Sequence, residues 1–200
     1  MYDFIELSDG RIGVMVGDVS GKGVPAALYM ARAVSLFRIF SHAGAGVKDT
    51  LTRLNDALAE ESSSNLFVTL TYLVYDPRFS LLKYSSGGHL PVILLKKGEE
   101  ECRLLESKEG MPLGLMPCGF SEEELLLGKG DILVLYTDGV TEAFSIRREE
   151  YGRERLTQVI LRNRNIGAPG LRSAIMESVL AFSKSAPQHD DITVIVMELK

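Results

Sequence analysis

Three aspartates stand where an apolar, β-branched run meets a loop. Asp18 closes Arg11 to Val16 within Gly17-Asp18-Val19-Ser20-Gly21-Lys22-Gly23. Asp138 follows Ile132 to Tyr136 within Tyr136-Thr137-Asp138-Gly139-Val140-Thr141-Glu142-Ala143, and Asp190 opens the last apolar run within His189-Asp190-Asp191-Ile192-Thr193. A carboxylate at a strand end beside glycines suits Mg²⁺ or Mn²⁺, because hard cations take carboxylate, carbonyl and water oxygens and small neighbours leave room for water. Ordinary structural roles are open to two of these acids. Asp18 can cap a helix starting near Val24, and Asp138-Gly139 is a common turn pair. Asp190 and Asp191 differ, since adjacent like charges at the head of an apolar strand repel and call for a positive partner. Three acidic strand ends in a chain without paired Cys or His ligands point to shared hard cations and to phosphate-ester hydrolysis.

Other chemistries fit less well. The glycine-rich segment around Lys22 suggests a phosphate-cradling P-loop, but Val16 and Gly23 occupy the places that loop needs for its first glycine and its Ser or Thr, and an acid stands inside it. Cys102 and Cys118 lack metal-ligand spacing and make a poor disulfide framework, which predicts ordinary thiols in a reducing, cytoplasmic compartment. A net charge of -5 without a basic cluster argues against nucleic acid as a partner. Apolar runs such as Leu66 to Tyr75 fall short of the roughly 20 residues of a membrane helix, and no basic segment followed by an apolar run opens the chain, so no membrane association is expected.

The elements that must position the acids follow from periodicity. Arg11 to Val16, Leu66 to Tyr75, Leu81 to Ser86, Val92 to Lys96 and Ile132 to Tyr136 predict strands, and a strand-like pattern also begins almost at Met1. Both faces of Leu66 to Tyr75 are apolar enough to be largely buried. Asp76-Pro77-Arg78-Phe79 and Gly98 to Glu101 are turn signals between such runs, which predicts antiparallel hairpins rather than βαβ crossovers. Pro25 to Ser41 predicts a helix with the stripe Ala27, Met30, Ala31, Val34 and Phe37. Further helices are expected over Val47 to Glu61, near Arg153 to Arg164 and over Pro169 to Lys184, before a last strand, Ile192 to Leu199. Helix pairs bracketing a run of hairpins give an α+β fold, an α/β/β/α sandwich of two antiparallel sheets flanked by helix pairs. With 200 residues, 46% of them hydrophobic, no repeat and only a short polar loop at Ser62 to Asn65, residues 1–200 are expected to form a single domain.

At its acidic motifs the sequence resembles the metal-dependent protein phosphatases of the PPM (type 2C) superfamily, in the bacterial branch typified by the stage II sporulation protein E and stress-response Rsb phosphatases. The similar segments are Tyr2-Asp3-Phe4, Gly17 to Leu28, Phe67 to Asp76, Ser85 to Pro91, Gly110 to Leu115, Gly128 to Ala143 and His189 to Val196, in the family's order. The resemblance implies the PPM phosphatase fold and two ions, Mn²⁺ or Mg²⁺. Asp18 would bridge them, the Val19 carbonyl would complete one, Asp138 and Asp190 would hold the other, and Asp191 and Gly139 would support these ligands. In this reading the three aspartates are the catalytic residues. Two cations roughly 3.5–4 Å apart activate a water and stabilise charge on the phosphoryl oxygens during in-line attack, with no covalent phospho-enzyme. The family's first motif, Gly-Gly-Asp-x-Tyr-Asp, is represented only by Tyr2-Asp3, and its earlier aspartate would fall just before Met1. An upstream sensor or regulatory domain is a further expectation of the resemblance.

The implied activity is serine/threonine protein phosphatase, with a phosphorylated anti-anti-sigma factor of bacterial partner switching as the implied substrate. A catalytically silent phosphatase-like binding domain is the rival, and the presence of three mutually repelling acids argues for the enzyme. A small-molecule phosphatase is disfavoured because no deep-pocket motif is evident. Lys22 is read as a solvated loop lysine, His89 in Gly87-Gly88-His89 as structural, His189 as a group that orients the adjacent carboxylates, and Gly110 to Leu115 as a loop near the substrate surface without a reaction role.

Overall fold

The computed structural model describes residues 1–200 apart from 45, 61–65, 185 and 189. In chain order it contains β1 (Tyr2–Glu6), β2 (Ile12–Val19), α1 (Val24–His42), α2 (Val47–Ala59), β3 (Val68–Asp76) and β4 (Leu81–Gly87). There follow β5 (Val92–Leu95), β6 (Arg103–Leu105), β7 (Glu123–Leu126) and β8 (Ile132–Tyr136). The chain ends with α3 (Asp138–Thr141), α4 (Gly152–Arg162), α5 (Gly167–Ser183) and β9 (Val194–Glu198). These elements form two compact units, Met1–His89 with Glu106–Leu126, and Leu90–Leu105 with Leu127–Lys200. Each unit has one antiparallel sheet with its own helices, in keeping with the α+β class and the antiparallel pairing expected from the turns.

The first unit's sheet has the order β1-β2-β3-β4-β7. β2 and β3 pair over their whole length although α1 and α2 lie between them in sequence. β1 and β2 precede the first helix pair, as the expected strands near Met1 and Arg11 do, and the hairpins β3-β4 and β5-β6 lie between the helix pairs. α1 turns inward a stripe that shares Phe37, and in part Val34, with the expected one. Ala26, Tyr29, Ala33 and Phe37 are buried, whereas Ala27, Met30 and Ala31 of the expected stripe are exposed. Both stripes have helical spacing, so periodicity alone does not choose. The inward one buries two aromatic rings, and Phe37 meets Tyr72 of β3 edge to face at 4.8 Å. Leu51, Leu54 and Leu58 of α2 complete this core as expected. Each such fully buried side chain contributes about 1.5–3 kcal/mol of transfer free energy.

α1 also corrects the reading that no segment reaches membrane length. It is the one helix among the described residues long and apolar enough to cross a membrane, with 19 residues. Arg32 and Arg38 interrupt its apolar run in sequence, which hid it from a search for continuous apolar residues. Its inner face lies in the first unit's core, and the Arg32 guanidinium donates to the Ala57 carbonyl at 2.7 Å, tying α1 to α2. Asp3 is engaged structurally. Both of its carboxylate oxygens accept from Arg38 of α1, at 2.6 and 3.1 Å.

The second unit's sheet has the order β6-β5-β8-β9, with β8 and β9 adjacent although α3, α4 and α5 separate them in sequence. Leu156 and Ile160 of α4 and Leu171, Ile175 and Val179 of α5 recur at helical spacing and bury against Ile93, Val134 and Tyr136. The Tyr151 hydroxyl, pushed above its ordinary pKa by burial, is hydrogen-bonded to Ser178 at 2.7 Å. A buried carboxylate closes the turn before β8. Asp131 accepts the N–H groups of Lys97 (2.9 Å) and Gly128 (2.7 Å) and pairs with the Lys96 ammonium at 3.0 Å.

Candidate metal centre

In the first unit β2 carries Gly17, Asp18 and Val19 opposite Leu70, Thr69 and Val68. Gly17 is required by close approach, since a Cβ there would lie 2.5 Å from the Thr69 carbonyl oxygen. Directly after β2, the Ser20 N–H donates to the Phe67 carbonyl, and the Ser20 hydroxyl accepts the Phe67 N–H, both at 2.9 Å. Ser20 thus continues the ladder by one side chain where the chain departs for α1. Gly21 and Gly23 then take φ of +81° and +80°, values that favour glycine. Gly23 is the N-cap of α1 and no side chain caps this helix, so capping does not account for Asp18, which is half-buried within β2. Lys22 is exposed, as a solvated loop lysine should be.

In the second unit the chain leaves β8 through Thr137, the N-cap of the short helix α3. This helix stands where sequence reading expects only a polar turn. Thr137 is buried, and its N–H donates to the Thr193 carbonyl at 3.2 Å. Its hydroxyl accepts the Thr193 N–H at 3.0 Å and donates to the Asp191 carbonyl at 2.9 Å. Gly139 allows the same segment to approach, because a Cβ on it would lie 2.4 Å from the Asp191 carbonyl oxygen. Gly139 and Asp191 thus meet through their backbones.

These contacts bring Asp138 and Asp190 together, with carboxylate oxygens within 4.8 Å of one another. Each carboxylate accepts the N–H of the next residue, Gly139 at 2.9 Å and Asp191 at 2.7 Å. The surplus negative charge shows at Glu142. Burial, and then the charges of Asp138, Glu150 and Asp190, push its carboxyl above the ordinary range. All these donors are oxygens, so the pair fits a hard divalent cation, which would relieve the repulsion. Beside the pair is a cleft of about 250 Å³, lined in part by Gly139, Glu142, Phe144, Leu180, Pro187 and Asp190. Sequence reading gives no role to Thr137 or Glu142. The available signal is a hydroxyl directly before the Asp-Gly pair and an acid four residues after the aspartate. His189, expected to orient the carboxylates, lies outside the described residues, as does the loop at Ser62 to Asn65.

The His89 ring is hydrogen-bonded to Thr69 through Nδ1 at 2.9 Å. The loop Gly110 to Leu115 is clamped in the first unit. Leu113 exchanges backbone hydrogen bonds with Val68, and the buried Asn55 accepts the Gly114 N–H at 2.9 Å. Both cysteines are free thiols, and burial pushes Cys102 up to about 11.

Residues 8–200 match the model of a single protein family, Stage II sporulation protein E. The chain belongs to the SpoIIE family. Across its whole length this SpoIIE-family chain is 30% identical to the phosphoserine phosphatase RsbU of Bacillus subtilis, of which it covers 58%. It is 31% identical to Protein IcfG of Synechocystis sp., with 98% of this chain and 35% of that protein covered. It therefore spans between a third and three fifths of the length of these curated relatives. Among solved structures, the SiaA-PP2C domain of Pseudomonas aeruginosa superposes with a TM-score of 0.85 at 22% identity, covering 100% of this chain and 80% of that one. The fold is that of this PP2C domain.

Proposed function

We propose that this SpoIIE-family chain is a metal-dependent serine/threonine protein phosphatase, that residues 1–200 act as one phosphatase domain, and that its substrate is a phosphorylated protein of the anti-anti-sigma type. The observation that carries the reading is the Asp138 and Asp190 pair, whose charge also bears on Glu142. Its resemblance to RsbU, a phosphoserine phosphatase, supports the choice of substrate. By the family resemblance, Asp18, the Val19 carbonyl, Asp138 and Asp190 would hold two ions, Mn²⁺ or Mg²⁺, with Asp18 serving both and Asp138 and Asp190 serving one of them. When bound, such ions supply an activated water and neutralise charge on the transferring phosphoryl group. The chain's own part is to hold the carboxylates in fixed geometry through Gly17, Ser20, Thr137 and Gly139. Two free cysteines are in keeping with a reducing, cytoplasmic setting.

The test is Mn²⁺-dependent phosphate release from p-nitrophenyl phosphate and from a phosphoserine protein, beside calorimetric titration with Mn²⁺. Metal-dependent turnover of both substrates is expected. Mn²⁺ uptake without turnover of either substrate would favour the silent binding domain. No Mn²⁺ uptake at all would defeat the metal reading.

A further inference from the structure

We infer that Thr137 is a positioning residue for the metal centre: its buried hydroxyl fixes the backbone that carries Asp190 beside Asp138. The inference rests on the function proposed above and deepens it. β9 begins only at Val194, and its ladder with β8 ends at the pair Tyr136 and Val194. Asp190 therefore lies beyond the ladder and is exposed, so strand pairing does not hold it. A hydroxyl has one hydrogen to give and lone pairs to accept with. Thr137 uses both, donating to the Asp191 carbonyl at 2.9 Å and accepting the Thr193 N–H at 3.0 Å. The two partners flank Ile192, and the first directly follows Asp190, so one side chain fixes the segment that carries Asp190 at two points.

Gly139 acts from the other side. With a Cβ to Asp191 oxygen separation of only 2.4 Å for any larger residue, its bare backbone lets the segment seat against the start of α3. Valine has nearly the shape of threonine but can neither donate nor accept, so it would leave a carbonyl and an N–H without this partner. Removing a group that orients metal ligands commonly weakens metal binding by about 10–100-fold.

The experiment compares the unaltered 200-residue chain with Thr137→Val and Thr137→Ser by Mn²⁺ calorimetry, and by amide hydrogen exchange of Thr193 without metal. Thr137→Val is expected to raise the Kd for Mn²⁺ by about tenfold or more and to speed Thr193 exchange. Thr137→Ser, which keeps the hydroxyl, is expected to stay near the unaltered chain on both. Undiminished Mn²⁺ affinity in Thr137→Val, or affinity equally weakened in Thr137→Ser, would overturn the inference, the latter by tracing the effect to the lost methyl. Failure of the unaltered chain to take up Mn²⁺ would instead defeat the functional reading, and this role with it.

Discussion

In the first unit the chain leaves its sheet after Val19, forms α1 and α2, and returns at Val68 beside the strand it left; in the second it leaves after Tyr136 and returns at Val194 beside β8. Both departures carry an aspartate and a glycine next to it, Gly17-Asp18 and Asp138-Gly139. Both are closed by a hydroxyl residue that exchanges hydrogen bonds with the returning chain, Ser20 with Phe67 and Thr137 with Thr193. The difference lies in what returns. Ser20 closes onto Phe67, whereas Thr137 closes onto a segment that brings Asp190 and Asp191. The same device thus extends a ladder in one unit and fixes the segment that follows Asp190 in the other.

The sharpest way to break this comparison is to neutralise the two departing acids. If Asp18 bridges two ions and Asp138 holds one, Asp18→Asn removes both ions and lowers turnover by roughly 10³-fold, since ion stabilisation is worth several kcal/mol and each 1.36 kcal/mol is tenfold. Asp138→Asn should leave one ion's worth of heat in a Mn²⁺ titration. Equal stoichiometry in the two variants would mean that the roles are not divided as assigned.

The adjacent glycines separate the units next. Gly17→Ala would press a methyl against the Thr69 carbonyl inside a central strand pair, and Gly139→Ala would press one against the Asp191 carbonyl on the ligand-bearing segment. The first should act mainly on folding, costing about 1–3 kcal/mol as overpacked sites do, and should appear as a lowered Tm. The second should act mainly on Mn²⁺ affinity, by roughly tenfold. If both variants lost Tm equally with Mn²⁺ affinity intact, the two departures would be structural alone.

What was legible in the sequence follows the same division. β2, β3, β5 and β8 announce themselves as runs rich in β-branched residues because their side chains are largely buried, and the turn residues around Pro77 and Gly98 give the antiparallel sense. β7 is hidden because Glu123 and Glu124 break its apolar pattern; Lys83 on the neighbouring strand pairs with Glu122 and Glu124, so this strand is recognisable only once its register is known. The acids at strand ends are visible as a local pattern. The hydroxyl contacts that aim them are not, because Ser20 lies 47 residues from Phe67 and Thr137 lies 56 from Thr193. Pairing across such excursions is set by packing of the whole unit rather than by neighbouring residues.

The smallest expected effect concerns stability, and it separates two carboxylates, Asp131 of the second unit and Asp3 of the first. Burial raises the Asp131 carboxyl, but the Gly128 and Lys97 N–H groups and the Lys96 ammonium outweigh it and leave the pKa below the ordinary range. Asp3 is lowered first by the Arg38 hydrogen bonds, against the opposing effect of burial. A carboxyl lowered in the folded state contributes stability that is complete above its unfolded pKa, roughly 4, and is lost as pH falls through the folded value. Both groups should therefore stabilise the chain at neutral pH and cease to do so in acid. Asp131 is 3% exposed and its removal leaves buried donors without an acceptor, so Asp131→Ala should cost on the order of 3 kcal/mol at pH 7 and less near pH 3. The Asp3 pair has a largely exposed partner in Arg38, so Asp3→Ala should cost less, and its effect should shrink further in high salt while that of Asp131→Ala persists. Denaturant melts at two pH values and two salt concentrations read both differences, and an Asp131→Ala effect as salt-sensitive as that of Asp3→Ala would show that its hydrogen bonds do not dominate.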